Sequence, residues 1–195
     1  MAIQINGSGT ITGISSGGLP AGSVTSATLA DGAVTAAKRG VGSVLQVKHV
    51  IKTDSFQTSS SSWNNVPNLS TSLTMTSSSN KVIVLVNLCI LNGTTTGSTS
   101  AIQRTTSGSS TFIGMATGYG SRQNGGSCEL YEERTDTSKS VSYTAEDTPG
   151  AGTHTYTVMV DPNGYTLYVN RSEADNDTDD YVRGTSSLIL MEVAA

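Results

Sequence analysis

Two histidines, His49 and His154, are the only side chains suited to proton transfer near neutral pH without a perturbed pKa. His49 shares the parity of Leu45, Val47 and Ile51, so it reads as an interior or interface imidazole rather than a catalytic base. His154 follows Pro149-Gly150-Ala151-Gly152 and reads as a loop residue. Gly13-Ile14-Ser15-Ser16-Gly17 matches the G-x-S-x-G pattern of a nucleophile elbow. That device needs a strand before it and a helix after it, with an acid and a histidine downstream. Here Gly18-Leu19-Pro20 follows and starts no helix, so the match is chance in a Gly/Ser-rich stretch. No Gly-Lys-Ser or Gly-Lys-Thr offers a phosphate loop. Cys89 lies in an apolar run and reads as a buried free thiol, and its spacing to Cys128 is not that of a zinc site. The acidic run Glu173 to Asp180 has the alternation that can wrap calcium. But Asp180 occupies the position where an EF-hand loop needs glycine, and Ser186 occupies its twelfth position. The run reads as a solvated loop. No catalytic, cofactor or metal site emerges. Aromatic rings in polar loops remain: Trp63, Tyr119 and Tyr131 are candidates for contact with a glycan or receptor by ring stacking.

These residues sit in a chain of 195 residues with 35% apolar, 5% aromatic and 13% charged side chains. The charged share is about half of that in ordinary domains. Ser, Thr, Gly and Asn fill the difference and disfavour helix interiors, so many short strands are expected. A net charge of −4 gives no basic footprint for nucleic acid. Met1 to Thr10 lacks the basic and apolar segments of a signal peptide, and Val82 to Val86 is too short to cross a bilayer. No membrane insertion is expected, and the chain is expected to be made in a cytoplasm.

Residues 1–44 differ from the rest. They hold no aromatic residue, and Gly22-Ser23-Val24-Thr25 recurs as Gly32-Ala33-Val34-Thr35 and Gly42-Ser43-Val44-Leu45, a period of ten. Between repeats there is room for one helical turn, with Thr25 and Thr35 as N-caps and Gly32 and Gly40 as C′ residues. Each unit offers too little apolar surface for a core of its own, but identical copies wound about one axis could meet at these valines. Ile3-Gln4-Ile5 and Thr10-Ile11-Thr12 alternate like short strands fit to extend another subunit's sheet. Ile3, Ile5, Ile11, Ile14, Val24, Leu29 and Val34 are therefore the candidate docking and trimer residues of an extended arm.

From residue 45 to residue 195 strands are expected. Leu45 to Lys52 alternates, Leu69 to Met75 is weaker, and Val82 to Leu91 is apolar enough for a central strand covered on both faces. Tyr156, Val158 and Val160 alternate, and Asp161-Pro162-Asn163-Gly164 predicts a hairpin turn returning through Tyr165 to Val169. Ser187 to Val193 predicts a last strand. The stretch from Thr94 to Ser140 reads as low-complexity loops. The pattern implies a mainly β chain, an antiparallel jelly-roll-like β-sandwich after an extended arm. Closure into a homotrimer would cover exposed edges.

Several stretches resemble one group in order. Ile11-Thr12-Gly13-Ile14, Gly18-Leu19-Pro20 and Thr28-Leu29-Ala30-Asp31-Gly32-Ala33-Val34-Thr35 resemble the N-terminal region of tailed-phage fibre and appendage proteins, notably those of cyanophages. Ser79-Asn80-Lys81-Val82-Ile83-Val84, Gly150 to Val158 and Gly184 to Val193 resemble the C-terminal sandwich of the same group. The resemblance implies a trimeric virion protein, whose arm anchors to other virion proteins of tail or capsid while the sandwich points outward. A head decoration or cement protein is the second expectation, and a carbohydrate-binding module the third. An enzyme is the least expected.

Overall fold

Glycine placement explains the turns of the N-terminal segment. The computed structural model describes residues 4–5, 11–12, 24–35, 38–92, 97–118, 120–121, 123–127 and 136–195. The chain divides into two compact units, Met1–Arg39 and Gly40–Ala195. In the first, β1 (Gln4–Ile5) pairs antiparallel with β2 (Ile11–Thr12), Ile5 opposite Ile11. A 3-10 turn spans Ser26–Thr28. Ala33 N–H then donates to Ala30 C=O at 3.0 Å, with Gly32 at φ +75°. Ten residues on, Ser43 N–H donates to Gly40 C=O at 3.1 Å, with Gly42 at φ +84°. The repeat is thus a repeated turn whose third residue must be left-handed, which favours glycine. The expected C′ glycine at Gly40 is replaced in this role by Gly42. That second turn belongs to the second unit: Gly42 N–H donates to Ala194 C=O at 2.8 Å, and Ala194 N–H returns to Ser43 C=O at 3.0 Å.

The second unit is all strand and loop among the described residues. Its strands are β3 (Val44–Lys52), β4 (Phe56–Thr58), β5 (Asn64–Thr74), β6 (Lys81–Asn92), β7 (Thr99–Thr106) and β8 (Ser109–Ile113), then β9 (Lys139–Asp147), β10 (Thr153–Asp161), β11 (Leu167–Val169) and β12 (Ser186–Val193). Every pairing is antiparallel. One sheet has the order β5-β10-β7-β8; the other runs β3-β12-β6-β11-β4, with β9 also on β6. Four pairs nest: β3 with β12, β5 with β10, β6 with β9, and β7 with β8. The innermost pair turns at Ser107 (φ +48°) and Gly108 (φ +85°), the two left-handed residues of a tight hairpin.

Alternation decides which side chains enter the core. Leu69 and Leu73 of β5, Val82, Val84, Val86 and Leu88 of β6, Ile102 of β7, Tyr156, Val158 and Val160 of β10, and Leu188 and Leu190 of β12 form one buried cluster contributed by both sheets. Fully burying such a side chain contributes about 1.5–3 kcal/mol. One end of this core is polar. Arg104 donates twice to Asp147, at 2.6 and 2.8 Å, and the Tyr156 hydroxyl donates to the same carboxylate at 2.9 Å. Burial, and then the Asp147 charge, push the Tyr156 hydroxyl far above its ordinary pKa.

Four expectations change. The Thr94 to Ser140 stretch holds β7, β8 and the start of β9 rather than loops alone, because Ser and Thr pair well on a pleated surface without apolar alternation. Asn163 (φ +56°) and Gly164 (φ +83°) adopt the expected turn, with Tyr165 N–H on Pro162 C=O at 3.2 Å. Yet β11 pairs with β4 and β6 rather than β10, so the turn carries the chain between sheets and closes no hairpin. His154 lies within β10, fully buried, with its ring nitrogens 2.7 Å from Thr106 Oγ1 and 3.3 Å from Gly150 O. Finally, β6 is covered on both faces only from Leu88 to Asn92; Ile83 and Leu85 are half-exposed.

Candidate assembly surface

The apolar parity of β3 faces away from the core. Val47 and Ile51 are each 53% exposed, and His49 between them is exposed, while Gln46 and Lys52 take the inward parity. The physical reason lies in two polar networks that make this parity tolerable. Glu192 of β12 is fully buried, and its carboxylate accepts from Thr76 N–H and Thr76 Oγ1 (both 2.8 Å), Asn80 Nδ2 (2.7 Å) and Gln46 Nε2. Burial alone would push its carboxyl up; the hydrogen bonds from Asn80, Gln46 and Thr76 outweigh burial and hold it below the ordinary range. Lys52, also buried, reaches out to the half-exposed Asp54 at 2.8 Å and holds that carboxyl low.

A second network splices the sheet where the chain leaves it between β11 and β12. Asn170, buried and left-handed at φ +62°, donates to Lys52 C=O (2.9 Å) and Asp54 C=O (3.0 Å). Its side-chain oxygen accepts from Ser186 Oγ at 2.6 Å, and that same hydroxyl oxygen accepts from Cys89 N–H at 3.0 Å. β3 and β4 are thereby held as two halves of one edge, facing β12 and β11 in turn.

Register then aligns an apolar field on the outer face of this sheet. Val47 lies opposite Met191, and Met191 opposite Ile83. His49 lies opposite Ile189, Ile189 opposite Leu85, and Leu85 opposite Thr144. Ile51, Ser187, Asn87 and Ser142 form the next row. A shallow depression of about 380 Å³ opens there, lined by Leu85, Asn87, Ser142, Thr144, Ser187 and Ile189. At the rim Lys81 and Glu146 pair at 2.8 Å.

The outer face of the other sheet is chemically opposite. The hydroxyls of Ser70 and Thr157 (2.9 Å), Ser72 and Thr155 (2.8 Å), Thr74 and Thr153 (2.8 Å), and Thr105 and Ser110 (2.8 Å) bridge neighbouring strands. Over these rows the face satisfies itself and water; its apolar element is Phe112, opposite Gln103 and stacked on Trp63.

Of the arm candidates, Val24, Leu29 and Val34 are exposed by 58, 44 and 50%. Ile5 and Ile11 are register partners in the β1–β2 pair. Ile3 and Ile14 lie outside the described residues, as do Tyr119 and Tyr131. Trp63 is half-buried, its ring 4.9 Å from that of Phe112. In the acidic run, Arg183 holds Asp175 in a two-pronged pair at 2.9 and 2.7 Å and keeps its carboxyl below the usual range, and Arg171 stands 3.6 Å away. No group of described residues has three His, Cys, Asp or Glu side chains placed to hold a metal ion.

Sequence reasoning singled out the arm but missed Ile83, Leu85, Ile189 and Met191. Their signal was present: β6 and β12 are apolar at both parities, the pattern of strands covered on two faces. No family model matches the chain, and no curated protein matches it.

Proposed function

We propose that the protein is a non-enzymatic structural subunit of a tailed-phage particle, a homotrimeric tail fibre or short appendage. Its arm, residues 1–39, docks on other virion proteins, and its C-terminal unit is a jelly-roll sandwich that meets the host surface. The observation that carries this reading is where the uncovered apolar side chains lie. Of nine large exposed apolar residues among those described, seven fall between Val24 and Ile51. A chain that leaves Val24, Val34 and Val44 in water at a ten-residue period, with Leu29 exposed between the first two, has its burial partner in another chain. The strand orders β3-β12-β6-β9 and β5-β10-β7-β8, with their nested pairs, support the jelly roll.

The test is incorporation. Particles assembled with protein lacking residues 1–39 should carry none of it, and incorporation unchanged by that deletion overturns the reading. Particles lacking the whole protein should fail to adsorb to the host. Normal adsorption with heat or osmotic fragility would instead make it a head cement protein. The mass of the purified chain tests the trimer, and a lone 20.1 kDa species at micromolar concentration rejects it.

A further inference from the structure

We infer that the outer face of the six-stranded sheet, built from Val47, Ile51, Ile83, Leu85, Ile189 and Met191, is a self-association surface whose occupant is a second copy of this chain. The inference rests on the trimer reading above and names where its C-terminal units meet.

Three observations carry it. First, β6 and β12 are written as doubly covered strands, yet among the described residues only one face of them is covered over Lys81–Asn87 and Ser187–Val193. A strand with Val84 and Leu190 inside and Leu85 and Ile189 outside has its second cover elsewhere. The opposite sheet, whose outer face carries paired hydroxyls, shows that this fold does not require an apolar exterior.

Second, the charge on the face suits a like partner. At its paired positions on β3, β12, β6 and β9 the titratable groups are His49, Lys81 and Glu146, and the last two already pair with each other. Two copies meet without Coulomb repulsion. An anionic membrane or nucleic acid would find no cationic field, and a charged receptor no counter-charge.

Third, the area fits a shared interface. Four strands spaced ~4.8 Å apart and six residues long at ~3.4 Å each make a footprint of about 400 Å². A standard interface covers roughly 800 Å² on each partner. The sheet face supplies about half, and among the described residues of the same unit Val41, Val44, Tyr165 and Val182 are the further large apolar side chains left exposed.

The experiment is sedimentation of the full-length chain. Val47→Glu with Ile51→Glu is the test variant, and Ser70→Glu with Ser110→Glu on the hydroxyl face is the control. Val47 and Ile51 are half in water in the single chain, so their replacement removes no core contact; circular dichroism and melting confirm the fold of each variant. Burying an unpaired carboxylate is costly, so the test pair should weaken association on the order of 100-fold or more. The control should assemble as the unaltered chain does. Assembly undiminished in a folded test variant overturns the inference, as does equal loss in the control. An unaltered chain that stays monomeric while the test variant fails to join particles makes another virion protein the occupant, and also overturns it. Loss of assembly in the test variant with incorporation unchanged supports this surface and counts against the trimeric virion reading. The two claims therefore fail separately.

Discussion

Replacing Glu192 probes whether a buried carboxylate, and not packing alone, locks β12 to its neighbours. Oε1 of Glu192 accepts from Thr76 N–H, Thr76 Oγ1 and Asn80 Nδ2, whereas Oε2 accepts from Gln46. Glu192→Ala strands these donors. Thr76 and Gln46 can turn towards water, but Asn80 is buried and cannot. Losing these charge-assisted hydrogen bonds and leaving the buried Asn80 amide unpaired costs about 3 kcal/mol. For a unit of this size that lowers the melting temperature by roughly 10 °C. Glu192→Gln should be far milder, about 1 kcal/mol, because one amide oxygen keeps the three contacts at Oε1 and Gln46 can rotate its own amide to accept from the new NH2. The pH dependence separates charge from shape. The folded carboxyl lies below its unfolded value, so the ionised group stabilises the fold above about pH 4.3, and this contribution is lost as pH falls through the folded pKa. The stability gap between the native chain and Glu192→Gln should therefore shrink on acidification. Urea unfolding from neutral pH down to about pH 3 reads that gap. A gap constant across the range would refute the argument, as would Glu192→Ala within ~1 kcal/mol of the native chain.

Asn170→Ala should cost about 3 kcal/mol in urea unfolding, since it leaves two carbonyls and a buried hydroxyl without their partner and keeps a left-handed backbone without asparagine. Asn170→Gly should recover only the backbone part. A Cβ on Gly184 would overlap the Cys89 sulfur, so Gly184→Ala should destabilise by about 1–3 kcal/mol. Adding Cys89→Ala should recover part of that loss, and a double-mutant cycle with no coupling would contradict the contact. Burial holds the hydroxyls of Tyr143 and Tyr156 well above the usual phenol value. In an ultraviolet titration these two of the seven tyrosines should stay protonated until the chain unfolds. Their contribution is present below about pH 10 and fades as pH rises above it, so stability should decline on the alkaline side.

Much of the strand content was legible because alternation reports directly on burial. Tyr156, Val158 and Val160 identify an inward face by parity alone, and Val82 to Leu91 announces a central strand. β7 and β8 were hidden, since Thr99 to Ile113 is largely hydroxyl-bearing and lacks that contrast. The glycine period was visible as a repeat, but not which glycine of each unit would take the positive φ. For the candidate surface, the apolar composition of β12 was plain, whereas the choice of exposed face was not.

That division has a physical cause. Sequence alone determined that the chain is mainly β, that Asn163-Gly164 has the residue types for a left-handed turn, and that the arm cannot bury its own valines, because each follows from local sterics or from counting apolar groups. Only the tertiary structure decided that Val47 and Ile51 face outward while Lys52 faces in. Parity distinguishes two faces of a strand but does not say which meets the core. Here that choice was made at long range, by Glu192 meeting Gln46 and Asn80 and by Asn170 bridging Lys52 to Asp54.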